Sequence, residues 1–431
     1  FETATSQLVH HPEYNSTLIL RSEVLADYAG SDALQPSVPG LEGFTPIRTI
    51  HRRLLPRRPG RDAALDQHCT FYTSSSPSAR DAADAPPSSI SVLVLTPLLQ
   101  PGTQLPYFHP LVSHLAFRLL PASSTSSASL RIDAHPLPAS SIPTDPDSRL
   151  HRTALALLET LHRYAWGAHT QYRKRVAHDT LVPRDTYQDL YLVMRERWKH
   201  VVGEWREATD PLKHVFEDVG IATFLMLLWK DTYKDEHGGD EHGPQDLVSE
   251  PWKRWPRPPG GFVDMGCGNG LLTHILISEG YAGTGFDLRE RSSWTHYPPR
   301  TRAALSVREA YEDTGDAPVL DLPRGAFLIG NHADELTPWL PVLAARAGVG
   351  TSGYLSIPCC AWTDSADAGR DAQGEQEATF AAALNLGSDN QLGSAYARYR
   401  VWLASLSAWL GWEVEVEVLR IPSTRNWAIV G

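Results

Sequence analysis

The sequence predicts an α/β protein: a mostly parallel sheet closed by an antiparallel C-terminal hairpin, preceded by a smaller N-terminal α+β domain and a helical segment. Three observations predict it. The stretch 261–287 reads strand, glycine turn, helix, strand, which is the opening of a parallel sheet. Further short apolar runs recur at 326–330, 353–357 and 412–431. Finally, 431 residues exceed one compact domain, and stretches rich in Ser, Pro, Ala and Gly at 74–89, 121–148, 235–261 and 364–393 mark joints. The expected division is 1–149 (N-terminal α+β domain), 150–258 (helical segment and linker) and 259–431 (the parallel-sheet domain).

In chain order, Ser91–Leu99 (SVLVLTPLL), Leu115–Leu120 and Leu130–Ile132 read as strands of the front domain. Leu150, Ala154, Leu157, Leu158, Leu161, Ala165, Ala168 and Tyr172 recur at three and four, predicting one apolar helical stripe to about Val176. On that stripe Tyr172 is expected in the core. Asp185, after Pro183, is the expected N-cap of a helix to about Ala208, and Asp210-Pro211 opens another with Phe216, Val219, Phe224, Leu227 and Leu228 inward. Gly261–Asp264 is a buried strand, Leu271–Glu279 a helix ended by Gly280, and Gly283–Asp287 a second strand. Ala326–Gly330 and Gly353–Ile357 follow as strands, then Trp412–Ile421 and Asn426–Gly431 as a hairpin around Pro422–Arg425.

A hydrophobic fraction of 42% excludes wholesale disorder, and no apolar run reaches the roughly 20 residues of a membrane helix. Four cysteines, without Cys-x-x-Cys, give neither a disulfide framework nor a metal knuckle, so a reducing, cytoplasmic setting is expected and no metal. The sequence opens on Phe1, which leaves a targeting segment ahead of it open. The net charge of −11 is uneven: residues 259–431 hold 12 basic and 20 acidic groups, whereas Arg48–Arg61 has six arginines and no acid. Arg149–Arg175 has six basic residues against Glu159. These two stretches read either as solvated faces or as phosphate contacts, with Arg52, Arg53, Arg57, Arg58, Arg173, Lys174 and Arg175 the candidate RNA contacts.

Glycines 266, 268 and 270 allow a sharp turn and leave room for a ligand, while Asp287, 21 positions after Gly266, can accept from both hydroxyls of a ribose. The pattern Asp-x-Gly-x-Gly-x-Gly resembles the first motif of class I S-adenosylmethionine methyltransferases, with a nicotinamide or flavin site as the less favoured alternative. That resemblance implies a Rossmann-like sheet and a cofactor set of Asp264, Gly266, Cys267, Gly268, Asn269, Gly270, Asp287 and Asn331, with Asp264 near the cofactor's amino group. The strand at 326–330 delivers Asn331-His332-Ala333-Asp334-Glu335 to the sheet edge where ligands bind. Asp334, Glu335 and His332, in that order, are the candidate catalytic groups; Asp334 and Glu335 read equally well as helix caps.

Several blocks together, FVDMGCGNGLLTHILISEGYAGTGFDLRERSSW, LIGNHADELTPWLPVLAAR, the PCC triplet, LRIPSTR, VPRDTYQDLYLVMRERW and TDPLKHVFEDVGIATFLMLLWK, resemble the tRNA (uracil-2′-O-)-methyltransferase family that modifies uridine 44 of serine tRNA. The resemblance spans roughly residues 180–431. It implies methyl transfer from S-adenosylmethionine to a ribose 2′-hydroxyl, serine tRNA as partner, and Lys230 or Arg425 as cations from matching blocks near the hydroxyl. Two other readings stay open: a methyltransferase with another RNA or protein acceptor, and a non-catalytic RNA-binding relative.

Overall fold

A computed structural model describes residues 1–74, 90–100, 102–122, 127–137, 145–172, 176–234, 250–309, 322–347, 350–359, 384, 386 and 394–431. The chain divides into two compact units, Phe1–Arg173 and Lys174–Gly431. The first boundary therefore falls after the first long helix of the expected middle segment rather than before it. That helix completes the front unit's core.

The front unit is an antiparallel meander of six strands in sequence order: β1 (Ile19–Ala29), β2 (Phe44–Pro56), β3 (Leu65–Ser74), β4 (Val92–Pro97), β5 (Val112–Leu120) and β6 (Ser129–Pro136). Helices α1 (Glu2–His10) and α2 (Arg149–His169) supply Leu8, Val9 and Leu161 to a core with Ile50, Phe71, Leu93 and Phe117. Ser148 caps α2 by accepting from the His151 N–H. The helix ends at His169, so Tyr172 lies beyond it and is 69% exposed, which reverses its expected burial. The buried stripe stops at Ala165.

The arginine-rich run is strand β2. Successive side chains of a strand face opposite ways, so Arg52 shares a face with Ile50 and Leu54. It is 3% exposed; its guanidinium donates to Gln67 Oε1 and to the Leu8 and Val9 carbonyls at the C-terminal end of α1. Arg52 is therefore a core residue and leaves the set of RNA contacts. Arg53, on the other face, chelates Asp66 at 2.6 and 3.0 Å. Arg57 and Arg58 are exposed beyond the strand, and Arg173, Lys174 and Arg175 lie outside the described residues.

In the second unit α3 (Arg184–Trp198), α4 (Val201–Glu204) and α5 (Pro211–Thr232) precede a seven-stranded sheet. Its members are β7 (Phe262–Met265), β8 (Gly283–Asp287), β9 (Leu305–Val307), β10 (Ala326–Asn331), β11 (Thr351–Ile357), β12 (Glu415–Val418) and β13 (Trp427–Val430), with α6 (Leu271–Ser278), α7 (Pro299–Ala304), α8 (Trp339–Arg346) and α9 (Ala395–Trp409) between them. α3 begins one residue before Asp185, which sits inside the first turn rather than capping it, and ends ten residues short of the expected Ala208. There Trp198 donates to Glu279 at 2.9 Å. Asp210 caps α5 as expected, through the Leu212 N–H. Beyond its first turn α5 is buried almost all round, with Trp229 stacked on Phe262 and edge-on to Phe327.

The sheet order is β12-β13-β11-β10-β7-β8-β9. Neighbours from β9 through β11 are parallel, and β13 runs antiparallel to both β11 and β12. From β7 the chain steps outward to β8 and β9, then returns to place β10 on the other side of β7. Adjacent crossovers thus leave in opposite directions between β7 and β10, and a crevice opens at their carboxyl ends. Asp264 and Asn331 stand on its two sides.

Candidate functional site

The turn from β7 into α6 needs three left-handed residues: φ is +71° at Gly266, +53° at Gly268 and +74° at Gly270. The loop is tied to β8 through the Gly266 and Cys267 N–H groups, both donating to the Phe286 carbonyl. Asp287 Oδ2 accepts from the Gly268 N–H at 2.9 Å, and Trp294 Nε1 donates to the Gly268 carbonyl. Asn269 works within the loop: its Oδ1 accepts from the Leu271 N–H and its carbonyl from the Tyr297 hydroxyl. A Cβ at Gly285 would lie 2.6 Å from Thr273 Oγ1 and 3.1 Å from Cys267 Sγ, so that close approach requires glycine. Burial, with the charges of Asp264 and Asp287, pushes the Cys267 thiol far up and keeps it protonated.

Asp264 is 1% exposed and, among the described residues, takes a single side-chain hydrogen bond, from Thr273 Oγ1 at 2.7 Å. Burial, reinforced by the charge of Asp287 and opposed by Thr273, pushes its carboxyl up to about 7. Asp287 ends β8 with its other oxygen toward the Arg289 N–H and Arg291, at 3.3 and 3.6 Å.

The end of β10 is strained. His332 and Asp334 hold φ of +52° and +44°, a region non-glycine residues seldom adopt, and such strain concentrates at functional sites. The His332 N–H donates to the Ile357 carbonyl of β11, and His332 Nε2 lies 3.1 Å from Glu217 Oε1. Asp334 is exposed and accepts from Cys359 Sγ at 3.1 Å; Glu335 is exposed beside it. Neither makes a side-chain cap to the turn that follows, which removes the capping reading. Cys360 lies outside the described residues. Of the two cations, Arg425 stacks 4.0 Å over the Tyr396 ring, whose hydroxyl donates to the Pro358 carbonyl, so it borders this edge. Lys230 sits over Trp255 at the far end of α5.

Two carboxylates escaped the sequence reading: Glu217 and Asp218 of α5. Burial works against ionisation of Glu217, but hydrogen bonds from His332 and Ser423 and the charges of His332 and Lys213 hold it below the usual range. Asp218 accepts from Asn331 Nδ2 at 3.3 Å and is otherwise without a hydrogen-bond partner among the described residues. Burial and the charges of Glu217 and Asp264 hold its carboxyl well above the usual range, against the pull of Asn331. An acidic pair inside an apolar helical run was the available signal, because buried carboxylates are rare unless they have a task.

Asn331 Oδ1 and Ser356 Oγ are buried without partners among the described residues, and neither Asp218 nor Asp264 has a cation in ion-pair range there. A ligand offering a positive charge and hydroxyl or amino donors fits this set, and S-adenosylmethionine offers all three. No group of three or more His, Cys, Asp or Glu suited to a metal exists among the described residues. Among those residues, too, no helix is long and apolar enough to cross a membrane.

Comparison with known proteins gives consistent matches. Residues 1–175 match the family described as TRM44-like, N-terminal bet v1-like domain, and residues 181–240 and 249–311 match a family of AdoMet-dependent methyltransferases. A tRNA (uracil-O(2)-)-methyltransferase of Schizosaccharomyces pombe is 35% identical over the whole of this chain and 82% of its own length. Proteins of the same name from Neurospora crassa and Saccharomyces cerevisiae are 32% and 29% identical over the whole chain and 83% and 84% of their own lengths. No solved structure matches.

Proposed function

This chain belongs to the tRNA (uracil-O(2)-)-methyltransferase family, and we propose that the nucleotide it modifies is uridine 44 of serine tRNA. It transfers a methyl group from S-adenosylmethionine to the ribose 2′-hydroxyl of a uridine in tRNA. The observation that supports this best is the crevice between β7 and β10, where the glycine turn, Asp264 and the strained Asn331–Glu335 segment meet. The strand order around it supports a class I, Rossmann-like arrangement.

When bound, the cofactor supplies a methyl group already on a good leaving group, a sulfonium. The chain's task is then mainly positioning. Asp264 and the 266–270 loop would hold the methionine part, Asp287 would accept from the ribose hydroxyls, and Asn331 would meet the reacting end with its Oδ1, which has no partner among the described residues. The acceptor hydroxyl must lose its proton as the bond forms. Asp334 is the exposed carboxylate on the strained turn, with one oxygen steadied by Cys359, and takes that proton in this reading; Glu335 is the neighbouring alternative. His332, held by Glu217, keeps the turn in place.

On the front unit, Arg57 and Arg58 offer exposed cations, and Arg53 a charge partly offset by Asp66. Trp166 and Tyr172, 60% and 69% exposed, offer rings on which splayed bases can stack. The setting proposed is the cytoplasm, where Cys69, Cys267 and Cys359, all free thiols, stay reduced.

The test is single-turnover transfer of labelled methyl to unmodified serine tRNA, with nuclease digestion to locate the product, beside Asp264→Ala, Asp334→Ala and Glu335→Gln. Label at one uridine as a 2′-O-methyl group, lost in Asp264→Ala and Asp334→Ala, supports the reading. Label at another position or in another tRNA overturns the serine assignment, and loss in Glu335→Gln alone moves the proton acceptor by one residue.

A further inference from the structure

Asp218 has no place in the scheme above, yet its setting is costly. Its side chain is 8% exposed on a helix buried almost all round. The negative charges of two further carboxylates, Glu217 and Asp264, act on it, and among the described residues it has one amide donor and no cation in ion-pair range. A buried carboxylate left this way keeps its proton, and ionises only when a positive charge arrives to compensate it. Glu217, next in the chain, is satisfied by His332 and Ser423. Asp218 alone of the pair points its need toward the crevice, through Asn331 at the end of β10.

We propose that Asp218 is the counter-charge that reads the sulfonium of S-adenosylmethionine, so that the pocket prefers the methyl donor to its spent product. Two observations beyond the carboxylate support the assignment. Asn331 Oδ1 and Ser356 Oγ, both buried and unpartnered among the described residues, lie at the same carboxyl edge, β11 placing Ser356 opposite Gly330. The count of charges also matches. The cofactor carries two cationic centres, an ammonium and a sulfonium, and the crevice holds two buried carboxylates with no cation in ion-pair range among the described residues, Asp264 beside the glycine turn and Asp218 tied to the residue that begins the acceptor segment, whereas Asp334 and Glu335 are exposed to solvent. The ammonium is common to donor and product, so Asp264 cannot separate them. The sulfonium is lost with the methyl group, so the carboxylate that faces it can. Product release then follows from the chemistry itself, since transfer removes the positive charge that held Asp218.

The proposal rests on S-adenosylmethionine being the cofactor, and equilibrium binding tests both. Titration calorimetry on the full chain, without RNA, would compare S-adenosylmethionine, S-adenosylhomocysteine and sinefungin, in which an ammonium replaces the sulfonium. Wild type is expected to bind S-adenosylmethionine and sinefungin about tenfold or more tighter than S-adenosylhomocysteine, the range for one hydrogen-bonded charge. Asp218→Asn should weaken the two cationic ligands by about ten- to a hundredfold and leave S-adenosylhomocysteine within about threefold, which also shows that the variant is folded. Equal weakening of all three, or an unchanged ratio with only methyl transfer lost, would overturn the proposal. Should the variant not fold, the wild-type ratios decide: S-adenosylhomocysteine binding as tightly as sinefungin removes the counter-charge. Binding of none of the three would instead overturn the cofactor reading, and the proposal with it.

Discussion

Replacing Asp264 by Asn should stabilise the ligand-free methyltransferase unit at alkaline pH while destroying its use of the cofactor. The carboxyl rises from 3.8 to about 7, mainly through burial, with Asp287 adding to the rise and Thr273 opposing it. A raised acid favours folding fully below the unfolded value near 3.8, and that contribution is lost progressively as pH climbs to about 7. Three units correspond to roughly 4 kcal/mol, and the part lost between pH 5.5 and 8.5 to about 2 kcal/mol. An asparagine keeps an acceptor for Thr273 Oγ1 and carries no charge, so it escapes this loss. Thermal melts of wild type and Asp264→Asn at the two pH values should therefore diverge by about 4–8 °C in favour of the variant at pH 8.5, read on the transition of the second unit. Asp218 titrates in the same sense in both proteins, and losing the Asp264 charge lessens its rise in the variant, which acts in the same direction as the expected divergence. Saturating S-adenosylmethionine should then raise the wild-type midpoint and leave the variant's unmoved. A difference between variant and wild type that stays flat with pH, or an Asp264→Asn protein less stable at pH 8.5 than at 5.5 relative to wild type, would refute the reasoning.

Glu279 is a fully buried acceptor for Arg197 Nε and Nη2, Trp198 Nε1 and Trp252 Nε1 at 2.8–3.2 Å, so Glu279→Ala should cost about 3–5 kcal/mol in urea unfolding, and a cost below 1 kcal/mol would show the network to be incidental. Glu217→Gln replaces a charged acceptor of His332 by a neutral one and should lower stability by about 1.5–3 kcal/mol. Because the Glu217 carboxyl is depressed, that difference is present above its unfolded value near 4.5 and fades as pH falls through the lower folded one, which acid titration of both proteins would check. Arg57→Glu with Arg58→Glu should weaken tRNA binding and flatten its dependence on salt, whereas Arg52→Ala should lower the melting point of the front unit and leave the salt slope as it was.

The catalytic half was legible because its signals are local. A glycine turn between two short apolar strands can only be a strand-turn-helix unit, and Gly280 and Asp287 fall where the helix and the next strand end. The front half resisted for the opposite reason. β1, β2 and β3 are long, polar-flanked strands stabilised by pairing across the meander, as in the run Ile50↔Cys69 to Leu54↔Leu65, and no short window of sequence contains that pairing. Arg52 shows the cost: charge counting made it a surface cation, while the period of the strand it lies on turns it into the core. Tyr172 failed in the converse way, since helical spacing was extended past the residue where α2 ends. Asp218 and Glu217 stayed hidden because their meaning depends on Asn331 and His332, more than a hundred positions later.

Buried carboxylates in the second unit come in two kinds, and the difference separates structure from function. Glu279 receives four donor contacts from three residues. Glu417 receives the N–H groups of Asp179, Thr180 and Leu181, the Thr180 hydroxyl and its neighbour Val418, and so anchors the entry to α3 against β12. Both are saturated, as a structural charge must be. Among the described residues Asp264 has one hydroxyl donor, Asp218 one amide and the Asn331 oxygen none, and all three stand at the crevice where the chain also tolerates left-handed His332 and Asp334. A fold that satisfies its acids so fully elsewhere leaves these two short of donors at a single place. In the scheme proposed above the bound cofactor supplies their partners, and the deficit of donors is what would give it its grip.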